Sequence, residues 1–154
     1  MKNIRGFSTI EVALLVFFVT VVGAWSAVTG LDTYRGYQFR NERNAVVGAL
    51  QDARNQAIHN ICRDASCTDG ISHGVYFTPT EHIIFEGINY ASANYAMDKV
   101  VNANENIQVT GLGEVIFSRL SGEANPAGTI TITDVAGHIS IIDINNEGRI
   151  AWTN

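Results

Sequence analysis

Residues 6–32 read GFSTIEVALLVFFVTVVGAWSAVTGLD. Between Glu11 and Asp32 lie twenty residues, Val12 to Leu31, without a charged side chain. At a rise of about 1.5 Å per residue, a helix of that length crosses the roughly 30 Å hydrocarbon core of a bilayer. Lys2, Arg5 and the α-amine precede it. By the positive-inside rule these charges favour the cytoplasmic side and put the bulk of the chain outside. A plain signal anchor would read this way, and so would a signal peptide removed after Ser26, where Ala24 and Ser26 form a small-x-small site. Neither accounts for Glu11. An ionised carboxylate in an apolar helix costs about 2.5 to 3.5 kcal/mol on insertion scales, and such groups are rare unless paired and functional.

Composition sets the outer bounds. The chain has 154 residues, 46% hydrophobic and 16% charged. The low charge argues against long disorder and against a coiled-coil rod, and the length suits one domain with its own core. Two prolines leave no room for low-complexity linkers, and a formal net charge of −5 opposes general nucleic-acid binding.

Beyond Leu31 the helical pattern continues but becomes amphipathic. Val46, Leu50, Ala53, Ala57 and Ile61 recur at spacings of four, three, four and four, with Ala49 and Ile58 widening the stripe. Arg43, Asp52, Arg54 and Asn55 take the other face. One helix from about Phe7 to about Asn60 is the simplest reading. Tyr34, Tyr37 and Phe39 stand where a membrane interface would fall, and a core role serves each equally well.

From His73 the period changes from helix to strand. The stretches 73–78, 81–86, 107–110, 113–118, 128–133, 138–144 and 148–152 are short, rich in Ile, Val, Thr and Phe, and bounded by Gly, Asn, Pro and Asp. Thr129-Ile130-Thr131-Ile132-Thr133 alternates as a half-exposed antiparallel strand does. Asp134–Gly137 and Asn145–Gly148 read as hairpin turns. The segment 88–106, polar and Asn/Ala-rich, predicts a long loop with a short helix around Tyr95–Val101. The fold class is therefore α+β, a long N-terminal helix packed on an antiparallel head with a meandering sheet.

The stretch Gly6-Phe7-Ser8-Thr9-Ile10-Glu11 behind a short basic leader resembles the processing and assembly signal of type IV prepilins and pseudopilins. The head carries the shorter motifs Ala53-Arg54-Asn55-Gln56-Ala57-Ile58, a Cys-containing loop, Gly74-Val75-Tyr76-Phe77, Ile116-Phe117-Ser118 and Gly148-Arg149-Ile150. Through these it resembles GspH/FimT-type minor pilins and pseudopilins. The resemblance implies a leader at 1–6, a membrane and filament-core half-helix at 7–31, an amphipathic half-helix at 32–61 and a β head at 62–154. It implies cleavage by a prepilin peptidase between Gly6 and Phe7, methylation of the Phe7 amine, and pairing of Glu11 with the Phe7 amine of a neighbouring subunit.

The implied partners are other pilin subunits, an inner-membrane assembly platform and the membrane itself. The implied location is the cytoplasmic membrane before assembly, head outside, and a surface or periplasmic filament after it. A type II secretion pseudopilin and a DNA-binding minor pilin of a competence pilus are the alternatives. One departure is that Val12–Leu31 lacks the helix proline usual in type IVa major pilins, leaving Gly23 and Gly30 as its weak points.

Cys62 and Cys67, placed outside the membrane by this topology, are close enough in sequence to form a local disulfide around a small loop. A metal site of His59, Cys62, Cys67 and His73 is the sharper alternative, with irregular spacing for zinc. His82 and His138 fall in strand patterns, where a solvent-facing or core-satisfied histidine is the usual case. No nucleophile and base pairing, P-loop or dinucleotide fingerprint is present, so the expectation is a protein without catalytic residues or cofactor. From Asp32 to Arg63, five arginines (Arg35, Arg40, Arg43, Arg54, Arg63) face three acids, a net of +2. From Asp64 onward, three basic residues face eleven acids, a net of −8, which argues against nucleic acid as a partner.

Overall fold

The computed structural model describes residues 8–63 and 70–153. Helix α1 runs Thr9–Ile58. The expected start at Phe7 lies outside the described residues, and the end comes two residues before the expected Asn60. Asn60 adopts φ 52°, while its N–H bonds Ala57 O at 3.2 Å and the Ile61 N–H bonds Gln56 O at 2.9 Å. This is a Schellman cap with Asn in the left-handed position, which closes the last turn. Ile61 therefore falls off the apolar stripe and is 44% exposed.

The chain divides into two compact units, the first ending at Tyr37 and the second beginning at Gln38. In the first unit, the described part of α1 carries its apolar side chains in the open, Phe17, Phe18, Trp25 and Leu31 among them. This helix is long and apolar enough to cross a membrane. Tyr34 and Tyr37 are exposed as well.

In the second unit, nine strands among the described residues follow α1. They are β1 (His73–Phe77), β2 (Glu81–Glu86), β3 (Lys99–Asn102), β4 (Ile107–Gly111), β5 (Glu114–Phe117), β6 (Ala124–Asn125), β7 (Gly128–Asp134), β8 (Ile139–Ile144) and β9 (Ile150–Thr153). All pairs are antiparallel. They form two sheets, β3-β2-β1-β5-β6 and β4-β7-β8-β9, in place of the one meandering sheet that the sequence suggested.

The apolar stripe of α1 packs on both sheets in one core. Phe39, Val46, Ala49, Leu50, Ala53 and Ala57 meet Val75, Ile84, Val115 and Phe117 of the first sheet and Ile130, Ile132, Ile142 and Ile144 of the second. Burying a Leu or Ile of this kind contributes about 1.5 to 3 kcal/mol, which makes this layer the main stabilising element of the head.

The segment 88–106 is not one long loop, and the short helix expected around Tyr95–Val101 is a single 3₁₀ turn at its start, with a strand from Lys99 on. It contains two single 3₁₀ turns, Tyr90–Ser92 and Tyr95–Met97, followed by β3. Asn89 Oδ1 accepts from Ser92 N, and Asn94 Oδ1 from Ala96 N, so the asparagines cap the turns. Register puts Gly74, Tyr76, Ile83 and Phe85 on the face of the first sheet away from α1, since His82, Ile84 and Glu86 alternate with them. Tyr90 covers that face. Its ring stacks on Tyr76 at 4.3 Å between centroids and meets Phe85 edge-on at 5.5 Å. Gly74 leaves the space that Phe85 occupies, because a Cβ there would lie 2.4 Å from the Phe85 ring.

Candidate functional site

Of the residues singled out for processing and assembly, Glu11 is described, while Gly6 and Phe7 lie outside the described residues. Ser8 precedes α1 and its carbonyl accepts from Glu11 N at 3.0 Å and from Val12 N at 3.2 Å. Glu11 Oε2 in turn accepts from Ser8 N at 3.4 Å. Ser8-Thr9-Ile10-Glu11 is thus half of a capping box, with the carboxylate in the first turn satisfying an N–H that the helix leaves unpaired. The negative charge also sits at the positive end of the helix dipole. The Ser-x-x-Glu spacing carried this signal in the sequence, beside the reading of Glu11 as a partner for another chain.

Cys62 is disulfide-bonded, and Cys67 lies outside the described residues. The residues of the alternative metal site have other contacts. His59 Nδ1 lies 2.8 Å from Asn55 O, and His73 Nδ1 lies 3.1 Å from Ile71 O. Among the described residues no group of three or more His, Cys, Asp or Glu could hold a metal ion.

His73 is fully buried, and its Nε2 has no hydrogen-bond partner. Burial pushes its pKa below the ordinary 6.5, with nearby Glu86 and the Ile71 carbonyl pulling the other way. His82 is the core one, with one ring nitrogen paired and Nδ1 without a hydrogen-bond partner. It sits in β2 with Nε2 2.6 Å from Glu42 Oε1, while Glu42 Oε2 accepts from Asn104 N at 3.1 Å. His138 is exposed. Its Nδ1 lies 2.7 Å from Asp134 Oδ2, and its ring lies 5.7 Å from that of Phe39.

Arg35 and Arg40 are exposed on α1. Arg43 reaches Asn44 Oδ1. The backbone N–H of Arg63 bonds the Glu86 carboxylate at 3.2 Å, and its Nη1 bonds Met97 O at 3.0 Å. Asp52 pairs with Lys99 at 2.8 Å on β3. Burial alone would raise the Asp52 pKa, but hydrogen bonds from Lys99 and Gln56 hold it below the usual carboxylate value.

Arg54 has a role the sequence did not reveal. Its Nε bonds Gly122 O at 3.4 Å and its Nη2 bonds Glu147 O at 3.1 Å. Leu120 N bonds Ala57 O at 2.9 Å, and Ala124 N bonds Asn146 O at 3.0 Å. The end of α1, the loop before β6 and the β8–β9 turn are thereby joined at one point. The sites assembled from described residues are thus contacts that hold the head together. No protein-family model, characterised protein or solved structure matches the chain.

Proposed function

We propose that this chain is a structural subunit of a type IV pilus or related filament. The observation that carries the reading is one continuous helix with two surfaces. Its first part, headed by Glu11, exposes Phe17, Phe18, Val22, Trp25 and other apolar side chains, and its last part is the core of an α+β head. A soluble monomer rarely leaves an apolar surface of that extent uncovered. Lipid before assembly and neighbouring helices after it would cover this one.

In this reading a prepilin peptidase cuts between Gly6 and Phe7, and Phe7 is methylated. The helix holds the subunit in the cytoplasmic membrane with the head outside until the assembly platform adds it to the filament. Glu11 pairs with the Phe7 amine of a neighbour, since a carboxylate carried into an apolar bundle needs an opposite charge. The capping contact from Ser8 fits this role, for it uses one oxygen of Glu11 and leaves the other for a second donor. Polymerisation is the mechanism, and no reaction is catalysed. Removing residues 1–6 leaves 148 residues with 8 basic and 15 acidic side chains, a net of −7.

Intact-mass spectrometry of filaments sheared from cells tests this directly. The expected mass lacks Met1 to Gly6, carries one methyl group on Phe7 and contains an oxidised cysteine pair. A subunit that dominates the sample is the main building block, and one present in traces is a minor pilin or a secretion pseudopilin. A retained leader, or a chain beginning near Ala27, would overturn the reading.

A further inference from the structure

Gln51, Arg54 and Asn55 lie on one face of α1, at i, i+3 and i+4, and the start of β9 brings Arg149 and Ile150 against them. Together they line a cleft of about 290 Å³. Its polar walls are two guanidinium groups and two carboxamides. Neither arginine is paired with a carboxylate among the described residues. Arg54 gives Nε and one Nη2 hydrogen to the carbonyls of Gly122 and Glu147, which leaves three of its five N–H groups. The Arg149 backbone N–H bonds Asn145 Oδ1 at 2.7 Å and shapes the turn, while its side chain is exposed and takes part in none of the ion pairs.

Two fixed features place the donors. Arg54 is anchored by its two carbonyl contacts, and it lies against the backbone of Gly148, where a Cβ would come within 2.9 Å of Arg54 Nε. Arg149 follows Gly148 directly, and both arginines line the cleft. Arg149 is one of only three basic residues in the part of the chain that, from Asp64 onward, carries a net of −8, and Arg54 comes from the net +2 segment before it. Arg54 is held in place and Arg149 is open to solvent.

We propose that this cleft is a carboxylate-binding site. A planar carboxylate takes two parallel N–H bonds from a guanidinium fork, and the carboxamides of Gln51 and Asn55 can add further donors. The ligand is either a free organic acid or an Asp or Glu side chain of a second copy of this chain, whose acidic head offers many. The proposal is independent of the filament reading, because it uses only contacts within the head.

The test uses the full chain in neutral detergent micelles, with NMR of the arginine Nε–H and carboxamide signals. Citrate is titrated against sodium chloride of equal ionic strength, at dilution and at high protein concentration. For a free acid, citrate produces saturable shifts confined to Gln51, Arg54, Asn55 and Arg149 at dilution. For a side chain of a second copy, the same signals shift with protein concentration alone, and citrate reverses that shift. In both cases Arg149→Gln weakens the response at least tenfold with an unchanged backbone spectrum, and Arg149→Lys falls between. The proposal is overturned if citrate acts no differently from chloride and concentration moves nothing, or if Arg149→Gln responds like the wild type.

Discussion

His82 Nε2 and Glu42 Oε1 meet at 2.6 Å between β2 and α1, with side-chain exposures of 0% and 6%. The two residues are forty positions apart in sequence, and their contact, with the Asn104 N–H on the second carboxylate oxygen, ties the helix to the first sheet. Removing one member of a buried pair strands the other away from water, which costs about 3 to 5 kcal/mol when the pair is charged and about 1 to 3 when it is not. Glu42→Ala should therefore lower stability by about 3 kcal/mol. Glu42→Gln keeps an acceptor toward His82 and should lose about 1. Urea unfolding of the full chain in micelles measures both, and equal losses would argue against the hydrogen bond as the cause.

The turns at Asp134–His138 and Asn145–Arg149 share one design. In each, the first residue's side chain accepts from the fifth residue's N–H, and a glycine with positive φ stands fourth. A Cβ on Gly137 would meet nothing within 4 Å, whereas one on Gly148 would lie 1.9 Å from Gly122 O. Gly137→Ala should cost only the left-handed backbone penalty of about 1 to 2 kcal/mol. Gly148→Ala must also break the junction with Arg54 and should cost at least twice as much. Thermal melts of the two variants that coincide would show the junction to be soft.

Glu11 serves the helix start in the structure and the neighbour's amine in the proposal, and glutamine separates the two. Gln at this position still completes a capping box but carries no charge. Glu11→Gln should be cleaved and inserted with normal helix content yet fail to enter filaments, as should Glu11→Ala. Filaments with normal amounts of Glu11→Gln would leave capping as the residue's whole role.

His73 predicts a pH dependence. Its folded pKa lies below the ordinary 6.5, so the unfolded chain binds the proton more readily. The neutral ring's contribution is fully present above about pH 6.5 and is lost as the pH falls from there toward the folded value. One proton corresponds to a slope of at most about 1.4 kcal/mol per pH unit. Urea midpoints taken from pH 8 to pH 5 should fall more steeply for the wild type than for His73→Gln. Parallel curves would mean that His73 titrates alike in both states.

The long elements were legible because their apolar residues repeat at the period of the structure they form. The stripe Val46, Leu50, Ala53 and Ala57 is buried as read, and Thr129–Thr133 lies within β7 with its isoleucines inward. β3 was missed because Lys99-Val100-Val101-Asn102 has no alternation and pairs on one side only, so its placement depends on β2. β6 has two residues and no pattern to find. The split into two sheets rests on pairings between distant segments, β1 with β5 and β4 with β7, which no local signal encodes. At the candidate site the same contrast holds. Glu11 announced itself as a charge in apolar surroundings, while Arg54 showed only as a polar residue on a helix face until the chain folded back upon it.

The open turn at Asp134–His138 also gives experimenters a handle on the molecule. Val135 is 76% exposed, and the turn is closed by its own hydrogen bonds. Lengthening a loop costs little free energy beyond the first few residues, and exposed tips tolerate insertion best. A short epitope or a dye-accepting tag placed between Val135 and Ala136 should leave both sheets intact, marking each copy wherever it resides in the cell.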